Sequence, residues 1–225
     1  MQETTPESNP LQDTETFSQE YPQTMKSFDP QFLAQICVLD TEMIIVRTKR
    51  KRKTMIAAQV TITDFFGNIL LHTYAYPASQ IISLNTQYSG IQNKHLEACP
   101  PFSLVRRWVL DIIWNKIIVG HAISNDLNAL KICHPPNLVV DTQKLAPVKH
   151  AVGKFCPSLK DSVKCVLDRT IQTGSHSSYE DALATADLFR FFYSQGILND
   201  TINWGMYYNN ELHANKQERN ENNSK

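Results

Sequence analysis

One apolar segment that carries two acids constrains the fold of this 225-residue chain more than any other feature. Residues 35–46 read QICVLDTEMIIV and are rich in β-branched residues, which predicts a buried strand. Asp40 and Glu42 lie two positions apart in it, so their side chains share one face of the strand. Two buried carboxylates repel each other and are costly to desolvate, and a divalent cation such as Mg²⁺ is the usual remedy. The alternative is a half-exposed strand whose acids face solvent, which fits the apolar flanks poorly.

The rest of the apolar pattern predicts an α/β fold. Strands are predicted at 35–46, 55–65, 69–76, 116–119 and 138–141. Helices are predicted at 102–113, from about 124 (with Ser124 or Asn125 as N-cap), at 159–167 and at 179–193. Short connections between the first three strands indicate an antiparallel meander, and the later alternation of strands and helices indicates parallel strands. We therefore expect a mixed five-stranded sheet with helices on both faces.

The charges divide the chain into regions, although Lys+Arg and Asp+Glu both number 22. Residues 1–30 hold six acids and one base, and they are poor in aliphatic residues. Such a segment cannot bury enough apolar surface to offset its ordering entropy, so we expect a disordered acidic tail. Residues 205–225 are a polar tail by the same reasoning. The domain between them, 31–204, therefore carries a net positive charge, which is compatible with a polyanionic partner.

The sequence argues against a secreted, disulfide-bonded or membrane protein. The N-terminus has neither a basic start nor an apolar run, and no stretch approaches the ~18 apolar residues of a membrane helix. The five cysteines are an odd number and contain no CxxC pair, so we expect reduced thiols, mostly buried, and no structural zinc.

Three further polar residues stand at the start of predicted helices or in the loop before one. Asp126 lies in the first turn of the helix after a buried strand, and Asp181 lies near the start of the last helix. His176 precedes Asp181 by five residues in a Gly/Ser-rich loop, where an accessible imidazole suits a general base. Taken singly, Asp126 is better explained by the helix dipole, and Asp181 and His176 are more often surface groups than catalysts.

Together, the order Asp-x-Glu, Asp, His-x4-Asp resembles the DEDDh family of 3′→5′ exonucleases. Within that family the chain is most similar to the branch of RNA exonuclease 4 and the interferon-stimulated exonucleases. The similar blocks, in chain order, are LDTEM (39–43), YSGI (88–91), VGHAISNDLNAL (119–130), VDTQKL (140–145) and IQTGSHSSYEDA (171–182).

The resemblance implies a ribonuclease H-like sheet and two divalent cations, Mg²⁺ or Mn²⁺. It implies that Asp40 bridges both cations, that Glu42 and Asp181 complete the site of the cation that activates water, and that Asp126 supports the other. His176 would take the proton from the attacking water. The implied substrate is the single-stranded 3′ end of RNA, cleaved to nucleoside 5′-monophosphates, with rRNA processing or RNA decay as the biological setting.

Two assignments have alternatives. His121 stands five residues before Asp126, the same spacing as His176 before Asp181, and is the rival base. Met43 resembles the family residue that packs against the terminal nucleoside, and core filling is its alternative role. Thr41 is counted with Met43 among the expected substrate-binding residues.

The sequence departs from the family in three places. Thr41 stands where the branch usually has Cys, and we expect little effect because Thr41 points to the face opposite Asp40 and Glu42. The branch often has arginines near Asn85 and Gln87 that hold the terminal sugar or its phosphate, and their absence leaves DNA cleavage open.

The third departure is RTKRKRK at 47–53, with six bases in seven positions at the turn between the first two strands. It is interpreted as a solvated hairpin tip, as a phosphate contact made by Arg50, Lys51, Arg52 and Lys53, or as a nuclear localisation signal. We expect a monomeric nuclear enzyme without membrane contact, with the cytoplasm as the alternative location. The functional alternatives are a DNA-preferring exonuclease and a non-catalytic RNA-binding module.

Overall fold

The computed structural model describes residues 30–200 and confirms the predicted α/β fold with a mixed sheet and helices on both faces. The strands are β1 (Ile36–Arg47), β2 (Lys53–Asp64), β3 (Ile69–Tyr74), β4 (Gln80–Ser83), β5 (Ile117–Gly120) and β6 (Val139–Asp141). The helices are α1 (Pro30–Leu33), α2 (Thr86–Ser89), α3 (Asn93–Leu96), α4 (Phe102–Ile113), α5 (Ser124–Leu130), α6 (Ala146–Val152), α7 (Leu159–Leu167) and α8 (Ser178–Ser194). The predicted acidic tail, apart from Pro30, and the polar tail at 205–225 lie outside the described residues.

The sheet has the order β3-β2-β1-β5-β6, with the antiparallel meander on one side and the parallel strands on the other. It has six strands, not the predicted five. The sixth, β4, pairs antiparallel with the last three residues of β1. The reason is geometric: β1 has twelve residues but β5 pairs only with Ile36, Cys37 and Val38, so the far half of that edge is left for another strand.

Two apolar cores lie on opposite faces of the sheet, and successive residues of β1 alternate between them. Ile36 and Val38 pack into the core under α6, α7 and α8. Cys37 and Leu39 pack into the core under α4 and α5. The alternation is the period of two that an extended strand imposes. It follows that the first half of β1, which leads to the acids, is covered on both faces.

Several local predictions differ from the structure. The helix α5 begins at Ser124, but its N-cap is Ile123 and no side chain caps it, so neither Ser124 nor Asn125 has the predicted role. Of the five free cysteines only Cys37 is fully buried, and three are exposed, so the expectation of mostly buried thiols is wrong. Within residues 30–200, no helix combines the length and apolar character needed to cross a bilayer.

Candidate active site

The paired acids of β1 lie at the centre of the sheet. Asp40 continues the face of Val38, and Glu42 follows on the same face with 8% of its surface exposed. Directly after Glu42 the pairing of β1 with β2 shifts register by one residue, because Ala58 is an extra residue on β2. Such a bulge re-aims the side chains beyond it. The acids therefore end one regular stretch of β1, and a differently oriented stretch begins at Met43.

Thr41 points to the other face of β1, and there it holds the third acid. Asp126, in the first turn of α5, accepts from the Thr41 backbone N–H at 2.9 Å and from the Thr41 hydroxyl at 2.8 Å, both through Oδ1. The sequence correctly placed Thr41 opposite Asp40 and Glu42. The Thr41 hydroxyl supplies one of the two donors that orient Asp126, whereas the effect of having Thr in place of Cys at this position stays a prediction. Thr41 also borders the cleft, where it was expected to meet substrate.

The fourth acid and the histidine approach from α8 and the loop before it. Asp181 is buried in the first turn of α8, and its Oδ2 lies 3.6 Å from Nδ1 of His176. The same oxygen accepts from the Gln172 side chain at 2.8 Å. Its other oxygen, Oδ1, is buried and has no hydrogen-bond partner among the described residues. A buried acceptor without a donor is expensive, and a cation ligand is one way of satisfying it.

These side chains line one open cleft of about 300 Å³. Its lining residues are Asp40, Thr41, Glu42, Met43, His121, Asn125, Asp126, Ser158, Leu159, Gln172, His176 and Asp181. The lining thus contains all four predicted acids and both candidate histidines but no lysine or arginine. Neutralisation of the acids must therefore come from protons or from a bound cation.

Ionisation of all four carboxyl groups at the same time is strongly unfavourable. Burial raises the pKa of Asp40 well above its ordinary range, and the neighbouring Asp126, Asp181 and Glu42 carboxylates raise it further. Burial, followed by repulsion from Asp181 and Asp126, raises the pKa of Glu42 to about 8. Burial raises the pKa of Asp126 to about 7 against the opposing effect of the Thr41 hydrogen bonds, and that of Asp181 to about 6 against the opposing effect of Gln172.

The residues present fit a hard divalent cation. Oxygen ligands from Glu42 and Asp181 and a nitrogen of His176 lie within 4.8 Å of one another. Asp181 has a buried oxygen without a hydrogen-bond partner, and all four acids have raised pKa values. Both properties are expected of a carboxylate cluster that is neutralised by a bound cation and not by basic side chains. Carboxylate oxygens are the ligands that Mg²⁺ prefers, and Mn²⁺ is held by the same ligand type.

Both ring nitrogens of His121 form hydrogen bonds within the protein. Its Nδ1 lies 2.9 Å from the Thr142 hydroxyl, and its Nε2 lies 2.9 Å from the carbonyl oxygen of Pro157. The next residue, Ala122, has a left-handed φ of 56°, and Asp141 accepts from its backbone N–H at 2.8 Å. His121 therefore fastens the turn before α5 to the neighbouring segments, and neither nitrogen is free to accept a proton from water.

His176 is in a different situation, because 42% of its side chain is exposed at the edge of the cleft. Its backbone N–H donates to the carbonyl of Tyr88 at 2.6 Å. Gly90 follows with a φ of +67°, and a Cβ there would lie 3.0 Å from the His176 carbonyl oxygen. The YSGI segment is thus the support against which the histidine loop packs.

Gln172 is a site residue that sequence reasoning missed. It has a left-handed φ of 53°, and its backbone N–H donates to Glu180 at 3.1 Å while its side chain donates to Asp181. A single polar residue in a loop has no periodicity that would single it out. Its only signal was its position five residues before Ser177 in a block already similar to the family.

The remaining predicted binding residues are divided between two places. Met43 is half-buried, lines the cleft and also packs against the core under α4 and α5; its contact with a terminal nucleoside stays a prediction. The bases predicted to bind substrate lie instead at the β1–β2 turn, outside the cleft lining; they are Arg50, Lys51, Arg52 and Lys53.

Comparison with known proteins identifies the family. The model of the Exonuclease family (RNase_T) matches residues 37–189. The chain belongs to this exonuclease family. RNA exonuclease 4 of Candida albicans is 39% identical over 135 residues, which are 60% of this chain and 47% of that protein. The human interferon-stimulated 20 kDa exonuclease-like 2 is 37% identical over 163 residues, 69% of this chain and 45% of that protein. The chain spans about half the length of these curated relatives.

The fold of this exonuclease domain is also that of solved nuclease structures. The Neurospora crassa Pan2 catalytic unit (protease and nuclease domain) superposes with a TM-score of 0.61 at 22% identity, covering 79% of this chain and 30% of that one. The Saccharomyces cerevisiae Pan2 UCH-Exo module in complex with AAGGAA RNA gives a TM-score of 0.57 at 23% identity, covering 77% and 32%. The expected ribonuclease H-like fold is therefore confirmed.

Proposed function

We propose that this protein is a metal-dependent exoribonuclease that removes nucleotides one at a time from the single-stranded 3′ end of RNA. One observation carries the proposal: four carboxylates and an exposed histidine converge on a cleft whose lining has no lysine or arginine. Membership of the exonuclease family and the names of the RNA exonuclease relatives support the same activity. We further propose a role in rRNA processing or RNA decay, a nuclear location and a monomeric state, as the resemblance implies.

The carboxylates would hold two divalent cations, Mg²⁺ or Mn²⁺. We assign Asp40 to both cations, Glu42 and Asp181 to one of them, and Asp126 to the support of the other. When bound, such cations stabilise the negative charge of the entering and departing oxygens of a phosphodiester. Because Mg²⁺ prefers oxygen ligands, we assign His176 to proton transfer and not to metal ligation.

The protein's own groups would then do two things. His176 accepts a proton from water as the water oxygen forms its bond to the phosphorus of the last phosphodiester. The bond from that phosphorus to the 3′ oxygen of the preceding nucleotide breaks, so the products are a nucleoside 5′-monophosphate and an RNA one nucleotide shorter. Met43 would pack against the terminal nucleoside and Thr41 would keep Asp126 in position.

The direct test uses 5′-labelled single-stranded RNA incubated with Mg²⁺ or Mn²⁺. We expect a ladder that shortens by one nucleotide, and we expect Asp40→Asn and His176→Ala to abolish it while the thermal unfolding midpoint stays that of a folded protein. His121→Asn is the comparison for the rival base. Full activity in repurified His176→Ala protein would show that His176 is not the base.

The same assay with matched DNA decides the nucleic acid. Asn85 and Gln87, at the start of α2, stand near the positions where the branch often has arginines, and this supports DNA cleavage as the second candidate activity. Faster shortening of the DNA would replace the ribonuclease proposal. A gel shift of RNA without any shortening would replace it with the non-catalytic binding module.

A further inference from the structure

The ribbon formed by β1 and β2 extends from the cleft, with β4 paired along the last three residues of β1, and one face of the ribbon is open to solvent. After the bulge, Ile44 and Val46 of β1 are buried, whereas Met43 and Ile45 are half-exposed and Arg47 is exposed. Across from them on β2, the register pairs Ile45 with Met55 and Arg47 with Lys53. Met55 is 50% exposed. The open face therefore runs from Met43 in the cleft lining through apolar residues to paired bases.

The ribbon ends in a turn that gathers positive charge. Two backbone hydrogen bonds of 2.8 Å close the turn. The Thr48 N–H donates to the Arg52 carbonyl, and the Lys51 N–H donates to the Thr48 carbonyl. Lys51 has a left-handed φ of 60°. Across residues 30–200, none of the six bases of 47–53 forms an ion pair with an acid. Like charges held this closely repel one another unless an anion from outside the protein lies among them.

We infer that the open face of 43–47 and 53–55, with its basic turn, binds the part of the substrate RNA that precedes the nucleotide being removed. This inference rests on the proposed exoribonuclease activity and specifies which substrates it favours. Met43, Ile45 and Met55 contact the nucleobases of the RNA, since methionine adapts to varied apolar partners. The lysine and arginine side chains of 47–53 contact the phosphates of the RNA backbone, which gives sequence-independent and salt-dependent affinity.

The geometry sets a length threshold. Arg47 lies four positions after Met43, and a strand rises ~3.3 Å per residue, so the basic turn begins about 13 Å from the cleft. A stacked nucleic-acid strand advances ~3.4 Å per nucleotide, so phosphates about four nucleotides from the 3′ end reach the turn. A trinucleotide is too short to reach it, whereas a decanucleotide spans the whole ribbon.

The basic turn was also interpreted as a nuclear localisation signal, read by an import-receptor protein. The structure favours RNA because the charged turn is continuous with the apolar face that leads to the cleft. An import receptor that binds only the basic residues would not require an apolar face that connects them to the cleft.

The test compares two variants of equal charge in the full chain. One carries Lys49→Gln, Arg50→Gln and Arg52→Gln in the turn. The control carries the same change at three bases on other elements: Arg107 on α4, Lys131 after α5 and Lys164 on α7. Binding of 5′-labelled oligouridine of three and ten nucleotides is measured by fluorescence anisotropy over a salt series, in an Asp40→Asn background that leaves the RNA intact.

For the unsubstituted turn we expect decanucleotide affinity to exceed trinucleotide affinity at low salt. The turn variant should bring the two affinities together and lower the slope of log affinity against log salt by about 2, since each lost phosphate contact with a single strand contributes ~0.7. The control variant should keep both the length preference and the slope.

A turn variant that retains the length preference overturns the inference. Retained RNA binding together with lost nuclear accumulation overturns it in favour of the import receptor. Equal thermal unfolding midpoints of the two variants exclude misfolding as the cause of a loss. Failure of the proposed exoribonuclease activity is detected separately. In that case the protein with Asp40 intact would shorten neither the three-nucleotide nor the ten-nucleotide RNA.

Discussion

Replacing Glu42 by glutamine should stabilise the metal-free protein, and should do so much more at pH 7 than at pH 5. In the folded state, burial and the neighbouring Asp181 and Asp126 carboxylates raise the pKa of Glu42 to about 8, whereas its ordinary value is 4.5. The folded state therefore holds the proton more tightly than the unfolded state does. As pH rises above 4.5, the unfolded chain ionises freely while the folded chain must either keep the proton or carry the charge at a cost.

The expected size follows from the two pKa values. Each unit of difference corresponds to about 1.4 kcal/mol, so the penalty from Glu42 is about 1 kcal/mol at pH 5 and about 3 kcal/mol at pH 7. Glu42→Gln removes it. A change of 1 kcal/mol moves the unfolding midpoint of a domain of this size by roughly 2–4 °C, so the midpoint should rise by about 6–12 °C at pH 7.

Thermal unfolding in chelator-treated buffer at the two pH values measures this difference. Glu97→Gln, on an exposed residue after α3, is the matched control and should change neither midpoint appreciably. Adding Mn²⁺ should make the unsubstituted protein the more stable of the two, because a ligand stabilises the state that binds it and the glutamine variant lacks one of the proposed carboxylate ligands. An equal midpoint change at both pH values, or a less stable variant at pH 7, would refute the electrostatic reasoning.

Three further substitutions test the supports of the site. Thr41→Val removes the hydroxyl donor to the α5 carboxylate and should weaken Mn²⁺ binding about tenfold by calorimetry, with Thr41→Ser restoring it. Gln172→Leu removes the donor to the α8 carboxylate and should weaken Mn²⁺ binding by about 10–100-fold; unaltered affinity would contradict a supporting role. Gly90→Ala should lower the rate of RNA shortening by about 10²-fold by displacing the histidine loop. Gly153→Ala has a similar positive φ but open space around it, so it should cost stability without this loss of rate.

The main features of the fold and the positions of the acids were predictable because they produce strong local patterns. An apolar strand interrupted by Asp40 and Glu42 is rare, and helices α4, α7 and α8 have clear amphipathic or apolar periodicity. Helix α4 and helix α7 were predicted with their observed limits. The convergence of Asp126 and Asp181 with the strand acids came from the order of motifs in the family, not from any local pattern.

What was missed depends on contacts between distant residues. The bond from Thr41 to Asp126 joins residues 85 positions apart, and Gln172 acts through a loop conformation that no propensity predicts. The strand β4 is four residues long and forms only because β1 extends beyond β5. Four-residue helices such as α2 are likewise shorter than one hydrophobic period can reveal.

The placement of the acids on opposite faces of β1 links the integrity of the whole domain to its chemistry. Asp40, Glu42 and Asp181 belong to the face under α8, whereas Asp126 is delivered by α5 from the other face. Each core therefore supplies part of the proposed metal-binding cluster. A substitution that loosens either core, even far from the cleft, should lower metal affinity before it unfolds the protein, so metal titration reports early damage to both halves of the molecule.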